Sequence, residues 1–152
     1  MKILFLDVDG VLNSFAPPNE HSIYWENSYC YPFNDISVSL IKRLVEECKL
    51  TIVLSSSWRL LKEDLDSIER FLRTYGMVIF DETPIIRDSK KYVRGREIQM
   101  WLDKNKTLGI TDFIIIDDDN DMGELSDKLI LTKGSKGFTY REFTIAKQRL
   151  IQ

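Results

Sequence analysis

Two groups of acidic residues, each directly after a short apolar run, constrain this chain most. Asp7 and Asp9 follow residues 3–6 (ILFL), and a second group follows residues 113–116 (FIII), comprising Asp117, Asp118, Asp119 and Asp121. Short apolar runs bounded by polar residues are typical of strands buried on both faces of a parallel sheet. Because ligands bind at the carboxyl ends of such strands, both acidic groups are predicted to converge on one site.

The rest of the chain alternates between strand-like and helix-like patterns. Further strands are predicted at residues 51–54, 77–80 and 128–131. Helical spacing of apolar residues predicts a helix after Asn34 or Asp35, one over 61–72 that ends before Gly76, one around 98–102, and a last one introduced by a capping box at Thr139 and Glu142. This alternation predicts a three-layer, Rossmann-like α/β fold with a central, mostly parallel five-stranded sheet. With 152 residues, we expect one domain over residues 1–152.

Residues 14–34 do not fit the alternation. They contain three prolines and, ahead of Phe33, five aromatic residues: Phe15, Tyr24, Trp25, Tyr29 and Tyr31. Long loops inside a compact domain are usually functional or disordered. We predict a small flap over the site, with a satellite hydrophobic cluster as the alternative, and we expect His21 to be an exposed surface residue.

Composition narrows the function classes. A net charge of −3 predicts no strong electrostatic attraction to nucleic acid or to an anionic membrane, although a local basic patch stays open. Cys30, Cys48 and the lone His21 are too few and too scattered for a structural zinc site. No stretch predicts a membrane span or a signal peptide, so we expect a cytoplasmic protein with no membrane partner.

Carboxylates brought together in a low dielectric repel each other, and a divalent cation relieves that repulsion. Hard oxygen ligands with room for water and phosphate favour Mg²⁺ over zinc. Acidic residues are also common turn formers after strands, which is the simpler explanation for a single pair. Two such groups after two buried strands favour the metal site.

Four motifs in this order resemble those of the haloacid dehalogenase (HAD) superfamily. Residues 7–13 (DVDGVLN) resemble its first motif and residues 51–55 (TIVLS) its second. Arg94-Gly95 resembles the third, with Arg96 as the alternative, although the family more often has lysine there. Residues 114–118 (IIIDD), with Asp121 beyond, resemble the fourth, and residues 55–59 (SSSWR) resemble a small subgroup related to RNA-repair proteins.

The resemblance implies a HAD-like fold and an Mg²⁺-dependent phosphohydrolase. Asp7 would be the nucleophile that forms an aspartyl-phosphate, and Asp9 the general acid and base. Ser55 and Arg94 would contact the transferring phosphoryl group. Substrate contacts are expected from Gly10, Ser56, Arg59 and Arg96. The metal ligands would be Asp7, the Asp9 backbone carbonyl and Asp117, with Asp118 or Asp121 acting directly or through water.

The length of the chain bears on the substrate. Residues 14–34 and a second, polar segment over residues 81–95 are each too short to fold as a cap domain. This predicts an open crevice and a bulky phosphomonoester such as a nucleotide or a nucleic-acid end. A lid borrowed from a second subunit is the other possibility, so the oligomeric state stays open. Trp58 is expected to be a core aromatic, or else to pack beneath the site or stack on a base.

Three alternative functions remain at this point. A receiver-type domain would accept regulatory phosphate after the third strand, where Asp81 and Glu82 stand. A two-metal nuclease would need Glu20 or Glu26 as additional ligands. A phosphomutase shares the two aspartates of the first motif but normally carries a cap.

Overall fold

A five-stranded sheet forms the centre of the computed structural model, which describes residues 1–23 and 32–151. Seven strands occur in these ranges: β1 (Lys2–Leu6), β2 (Ser22–Ile23), β3 (Phe33–Asn34), β4 (Leu50–Leu54), β5 (Ile79–Glu82), β6 (Asp112–Asp117) and β7 (Leu129–Leu131). The central sheet has the order β5-β4-β1-β6-β7, and every pairing in it is parallel. The predicted α/β fold is therefore confirmed.

Four helices cover the two faces of the sheet: α1 (Asp35–Cys48), α2 (Lys62–Thr74), α3 (Val93–Lys104) and α4 (Tyr140–Ile151). Side chains alternate between faces along a strand, so Leu4 and Leu6 pack into one core cluster with α1, α2 and α4. Ile3 and Phe5 point the other way and pack into a second cluster with α3. The three predicted layers are thus helices, sheet and helix.

Local signals in the sequence place several helix ends. The Asn34 side chain accepts a hydrogen bond from the Ser37 N–H at 3.2 Å and so caps α1. The Thr139 N–H donates to the Glu142 carboxylate at 3.1 Å, which is one half of the predicted capping box at the start of α4. Gly76 has φ of +75° two residues beyond α2, a conformation that glycine adopts without strain.

The strand predicted at residues 77–80 is displaced: β5 spans Ile79–Glu82. Met77 is buried in the larger core cluster, whereas Val78 and Phe80 are exposed. β5 is an edge strand with one neighbour, and its register with β4 shifts between Ile52 and Val53. An apolar pattern alone therefore did not fix its bounds, because an edge strand buries little of its own surface.

The segment after the first motif contains a short antiparallel pair. β2 pairs with β3, and Asn13 forms an isolated bridge with the buried Phe33. Four of the five aromatic residues assigned to the flap lie outside the described residues: Tyr24, Trp25, Tyr29 and Tyr31. Phe15 is described and is partly exposed. The flap over residues 14–34 and the single domain over 1–152 stay predictions.

Within residues 1–23 and 32–151, no helix is both long and apolar enough to span a membrane.

Candidate active site

The two acidic groups meet at the carboxyl edge of the sheet. β1 and β6 are neighbours in parallel register, with Leu6 opposite Ile116, and the Asp7 N–H donates to the Ile116 carbonyl at 3.0 Å. Asp7, Asp117 and Asp118 each present an oxygen, and these oxygens lie within 4.8 Å of one another. In the described part of the chain this is the one acidic, histidine or cysteine cluster of that geometry.

Burial makes this carboxylate cluster electrostatically unfavourable by itself. The side chains of Asp7 and Asp117 are almost completely buried. Burial raises the pKa of Asp7, and the nearby Arg94 opposes that rise. Burial and the neighbouring Asp7 raise the pKa of Asp117 to about 7. For the half-buried Asp118, burial and Asp7 likewise raise the pKa.

The cluster fits a divalent cation. Asp117 Oδ2 is buried and accepts no hydrogen bond from the described residues, and the nearest cationic atom is Arg94 Nη1 at 3.6 Å. Buried polar atoms are rarely left unpaired in proteins, and bound cations commonly fill such positions. The donors are all carboxylate oxygens, which suit Mg²⁺. Asp7, Asp117 and Asp118 are therefore the side chains that could hold the metal.

Asp121, a predicted metal ligand, lies outside this cluster. Its carboxylate accepts a hydrogen bond from the backbone N–H of Arg94 at 3.3 Å, and its backbone carbonyl accepts one from the backbone N–H of Gly95 at 3.0 Å. These contacts satisfy two of the N–H groups that the first turn of a helix leaves without partners inside the helix. Asp121 thus anchors the start of α3, and with it the arginine of the predicted third motif.

Arg94 and Arg96 have different surroundings, although they are only two positions apart in the sequence. Arg94 Nη1 donates to the Ser55 carbonyl and to Asp7 Oδ1, the latter at 3.4 Å. The half-exposed Arg96 instead forms a two-pronged ion pair with Asp88 at 2.8 and 2.6 Å. The guanidinium beside the acidic cluster is therefore that of Arg94, whereas the guanidinium of Arg96 binds a loop carboxylate outside that cluster.

The two serines that follow β4 lie at the bottom of the site. Ser55 is fully buried, and its hydroxyl has no hydrogen-bond partner in the described ranges. Ser56 is also fully buried; its side chain hydrogen-bonds the Asp7 carboxylate, which lowers the pKa of Asp7 against the larger effect of burial. The Ser56 hydroxyl also accepts a hydrogen bond from the backbone N–H of Trp58 at 3.4 Å, at the start of a 3-10 turn over Ser57–Leu60.

Gly10 shapes the loop after β1. Its φ is +73°, and a Cβ atom there would lie 2.3 Å from Asp118 Oδ2. The Gly10 N–H donates to the Asn13 side chain at 2.8 Å, and its carbonyl accepts the Thr132 hydroxyl at 2.7 Å. Because both backbone groups have partners inside the protein, Gly10 contributes conformation and space for Asp118; this differs from the substrate contact expected from the sequence.

Arg59 also differs from the expected substrate contact. Its five N–H groups donate to Glu97 and to four backbone carbonyls, those of Ser55, Ser56, Thr83 and Pro84. The Arg59–Glu97 ion pair is buried, with Nη2 and Oε2 at 2.5 Å. No donor is left for a phosphate, so Arg59 joins the turn after β4 to α3 and to the loop after β5.

Asp9 has two partners that the sequence analysis did not anticipate. Its Oδ1 accepts from the Asn13 amide at 2.8 Å, and its Oδ2 accepts from the Trp58 indole N–H at 3.0 Å. Asn13 is fully buried, although it is polar. Its position inside the first motif was the one sequence signal for this role. Trp58 is buried in the core, as expected, but its N–H reaches the site.

A pH-dependent response to Mg²⁺ follows from the raised pKa of Asp117. Between its ordinary value of 3.8 and about 7, the folded protein binds more protons than the unfolded chain, so metal-free stability falls as the pH rises through this window. Mg²⁺ should therefore raise the melting temperature more at pH 8 than at pH 5.5. Asp117→Asn should melt higher than wild type in EDTA at pH 8 and lose the Mg²⁺ response. Calorimetry or dye-based melting measures both effects.

Asp112→Asn is the matched control. Asp112 is the first residue of β6, at the end of the strand opposite Asp117, and it pairs with Lys128. This variant should keep the Mg²⁺ response. An equal response to Mg²⁺ in Asp117→Asn and wild type would place the cation elsewhere.

Comparison with known families agrees with this geometry. A family model described as the HAD domain in Swiss Army Knife RNA repair proteins matches residues 3–143. No curated protein matches the chain. The matched range covers β1 from Ile3 onward, together with β4, β6 and the acidic cluster, and it extends into α4. The chain therefore belongs to this family of HAD domains, whose members are typically phosphohydrolases.

Proposed function

We propose that this chain is an Mg²⁺-dependent phosphatase that uses Asp7 as a covalent nucleophile. The observation that carries the proposal is the buried Asp7 carboxylate, which lies 3.4 Å from Arg94 Nη1 and clusters with the carboxylates of Asp117 and Asp118. An anionic nucleophile can approach an anionic phosphate only where positive charge surrounds both. Mg²⁺ held by the three aspartates would supply part of that charge and polarise the phosphoryl oxygens.

The residues divide the reaction into two displacements. An Asp7 oxygen attacks phosphorus; the bond to the leaving oxygen breaks, and that oxygen takes the proton of Asp9. Water then attacks the phosphorus of the aspartyl-phosphate and gives its proton to Asp9. The bond from phosphorus to Asp7 breaks, inorganic phosphate leaves, and both carboxyl groups return to their starting states.

Arg94 and Ser55 are suited to binding the transferring phosphoryl group. Arginine does not lose its proton in proteins, and its planar guanidinium binds two oxyanion oxygens at once. Arg94 lies within 3.6 Å of both Asp7 and Asp117 and is partly exposed. The Ser55 hydroxyl, which is unpaired within the described residues, is available to donate to a phosphoryl oxygen.

For the substrate, we infer a phosphorylated nucleic-acid end or a nucleotide. The family description names RNA repair proteins. A cleft of about 470 Å³ adjoins Arg94; its lining includes the apolar Leu60 and Ile85, the basic Arg87, and the acidic Asp119 and Asp121. Between residues 14 and 34 the described secondary structure is limited to β2 and β3, so nothing described there is large enough to close over a bulky leaving group.

The alternative functions have weaker support. A receiver-type domain would use Asp81 after the strand β5, but the Asp81 side chain is bound by the Trp101 indole N–H at 2.7 Å and is not part of the acidic cluster. For a two-metal nuclease, Glu20 is exposed and 3.5 Å from His21, and Glu26 lies outside the described residues. A phosphomutase remains disfavoured for want of a cap in the described ranges.

A phosphate-release assay tests the proposed function. The panel comprises p-nitrophenyl phosphate, nucleoside 3′- and 5′-monophosphates, and oligoribonucleotides with a phosphate at one end, each with Mg²⁺ or with EDTA. We expect release of inorganic phosphate only with Mg²⁺, and faster release from the oligoribonucleotides. Cleavage inside an unphosphorylated RNA would instead indicate a nuclease, and a stable phosphoprotein without turnover would indicate a receiver.

Two neighbouring arginines provide a matched pair for this assay. Arg94→Ala should lower phosphate release by about a hundredfold, the usual effect of removing a group that stabilises transition-state charge. Arg96→Ala removes the same side chain two positions away and breaks only the contact with Asp88, so its activity should stay near that of wild type. Equal losses in both variants would contradict the role given to Arg94.

A further inference from the structure

We propose that Trp58 is a positioning residue that fixes the Asp9 carboxyl group through its indole N–H. The assignment rests on the proposed function, in which Asp9 transfers the proton. The Trp58 Nε1–H donates to Asp9 Oδ2 at 3.0 Å, and the Asn13 Nδ2–H donates to Asp9 Oδ1 at 2.8 Å. Each carboxyl oxygen thus has one fixed donor, and the group is bracketed from both sides.

The indole ring is itself held in the core. Trp58 is buried, and its ring packs against Phe33 with centroids 5.8 Å apart. Phe33 in turn stacks on Phe71 at 4.1 Å with ring planes 13° apart. A tryptophan in such a position presents an apolar body to the core and a polar N–H at its edge. The N–H therefore reaches Asp9 from a rigid support.

The backbone that carries Trp58 is fixed as well. Ser56 caps the 3-10 turn Ser57–Leu60, and the next residue, Arg59, uses all five of its N–H groups within the protein. Two of these bonds return to the Ser55 and Ser56 carbonyls. The turn can therefore shift only if the buried contacts of Arg59 break. On the other side, the Asn13 side chain is fixed by the Gly10 N–H at 2.8 Å.

This support matters for the steps in which Asp9 moves a proton. Each carboxyl oxygen has two lone-pair sites, and the fixed donors use one site on each. A remaining site carries the proton that passes to the leaving oxygen as its bond to phosphorus breaks, and it later accepts the proton of the attacking water. With the plane of the carboxyl group held, that site stays aimed at the substrate. Without Trp58, the group could rotate about its side-chain bonds.

A leaving-group comparison separates proton transfer from other effects. 2,4-Dinitrophenyl phosphate releases an acidic phenol that departs without a proton, whereas benzyl phosphate releases an alcohol that needs one. The variant Trp58→Phe keeps an aromatic ring and removes the N–H. We expect kcat/KM to fall about tenfold for benzyl phosphate, a part of the full effect of general acid catalysis, and to change by less than about twofold for the dinitrophenyl ester. Asp9→Asn should show the same pattern with a larger loss.

Trp101→Phe is the matched control. Trp101 is also buried, and its indole N–H also donates to an aspartate, Asp81 at 2.7 Å, but it packs in the other core cluster. This variant should keep the wild-type ratio between the two esters. If Trp58→Phe does not fold, benzothienylalanine at position 58, which has sulfur in place of the N–H and the same ring shape, provides the same test.

The outcomes distinguish this assignment from the function on which it rests. A selective loss on benzyl phosphate supports the role of Trp58. Equal losses on both esters, or no loss on either, would overturn it while phosphate release by wild type still upheld the proposed function. If the wild-type protein with Mg²⁺ releases phosphate from neither ester and from no member of the substrate panel above, the proposed function fails and the role of Trp58 fails with it.

Discussion

Replacing Asp7 with asparagine is expected to lower phosphate release by at least about a thousandfold, the scale of effect seen when a covalent nucleophile is removed. The carboxamide has nearly the same shape but cannot form the acyl phosphate. The Asp7→Asn variant should be as stable as wild type in the absence of metal. Burial raises the pKa of Asp7, which means that a neutral group at this position is easier to bury than a charged one. Steady-state phosphate release with Mg²⁺ measures the loss, and thermal melting checks the fold.

Asp112→Asn serves again as the control, since it makes the same chemical change on the opposite edge of the sheet and should retain most activity. A second check is the covalent intermediate itself: wild type quenched in acid during turnover should carry phosphate on Asp7, and the variant should carry none. Retention of full activity by Asp7→Asn would exclude the covalent mechanism, whatever the metal requirement.

The fold was predictable because its signals are local. The apolar runs that became β1, β4 and β6 are each flanked by polar residues, and the caps at Asn34 and Thr139 depend on residues three positions away. β5 was misplaced by two residues because burial at a sheet edge depends on what packs over it. Sequence patterns report which residues are apolar, and they report less well on how far an edge strand extends.

The site was predictable to the extent that strand ends define it. Asp7, Asp117 and Asp118 lie at the carboxyl ends of neighbouring strands, so parallel topology alone brings them together. The choice between Arg94 and Arg96 could not be made, because it depends on which side of α3 faces β1. The positions of Asp121 and Trp58 depend on partners 27 and 49 residues away. Contacts of this kind leave no periodic trace in the sequence.

Residues 55–59 show how one short motif distributes several roles. Ser55 leaves its hydroxyl available at the site, Ser56 contacts Asp7, and Trp58 contacts Asp9. Arg59, the last residue, holds the turn in place from behind. Residues 55–59 therefore connect two other parts of the site. Trp58 contacts Asp9 of the first motif, and Arg59 pairs with Glu97, which lies on α3 one turn after Arg94 of the third motif. Loss of this one ion pair should accordingly affect the whole site.

Glu97→Ala is expected to lower the free energy of unfolding by about 3–5 kcal/mol, the usual result of removing one partner of a buried ion pair. Glu97 accepts from Arg59 at 2.5 Å and from the Ile86 N–H at 2.9 Å, and both members of the ion pair are almost completely buried. The substitution leaves the Arg59 charge without its counter-charge. Burial already lowers the pKa of Arg59, and Glu97 opposes that effect. Urea denaturation followed by circular dichroism measures the change.

The chain offers a matched control in Arg96 and Asp88, a second arginine–carboxylate pair that is solvent-exposed. Asp88→Ala should shift the urea midpoint little, because exposed ion pairs contribute little to stability. The double variant Arg59→Met, Glu97→Leu should recover part of the stability lost in Glu97→Ala, since it removes both buried charges together. Recovery should be incomplete, because four backbone carbonyls lose the Arg59 donor. Its phosphatase activity should nevertheless stay low, because the turn that carries Trp58 would lose its bonds to the Ser55 and Ser56 carbonyls. A loss in Glu97→Ala no greater than that in Asp88→Ala would show that the buried pair does not hold this turn.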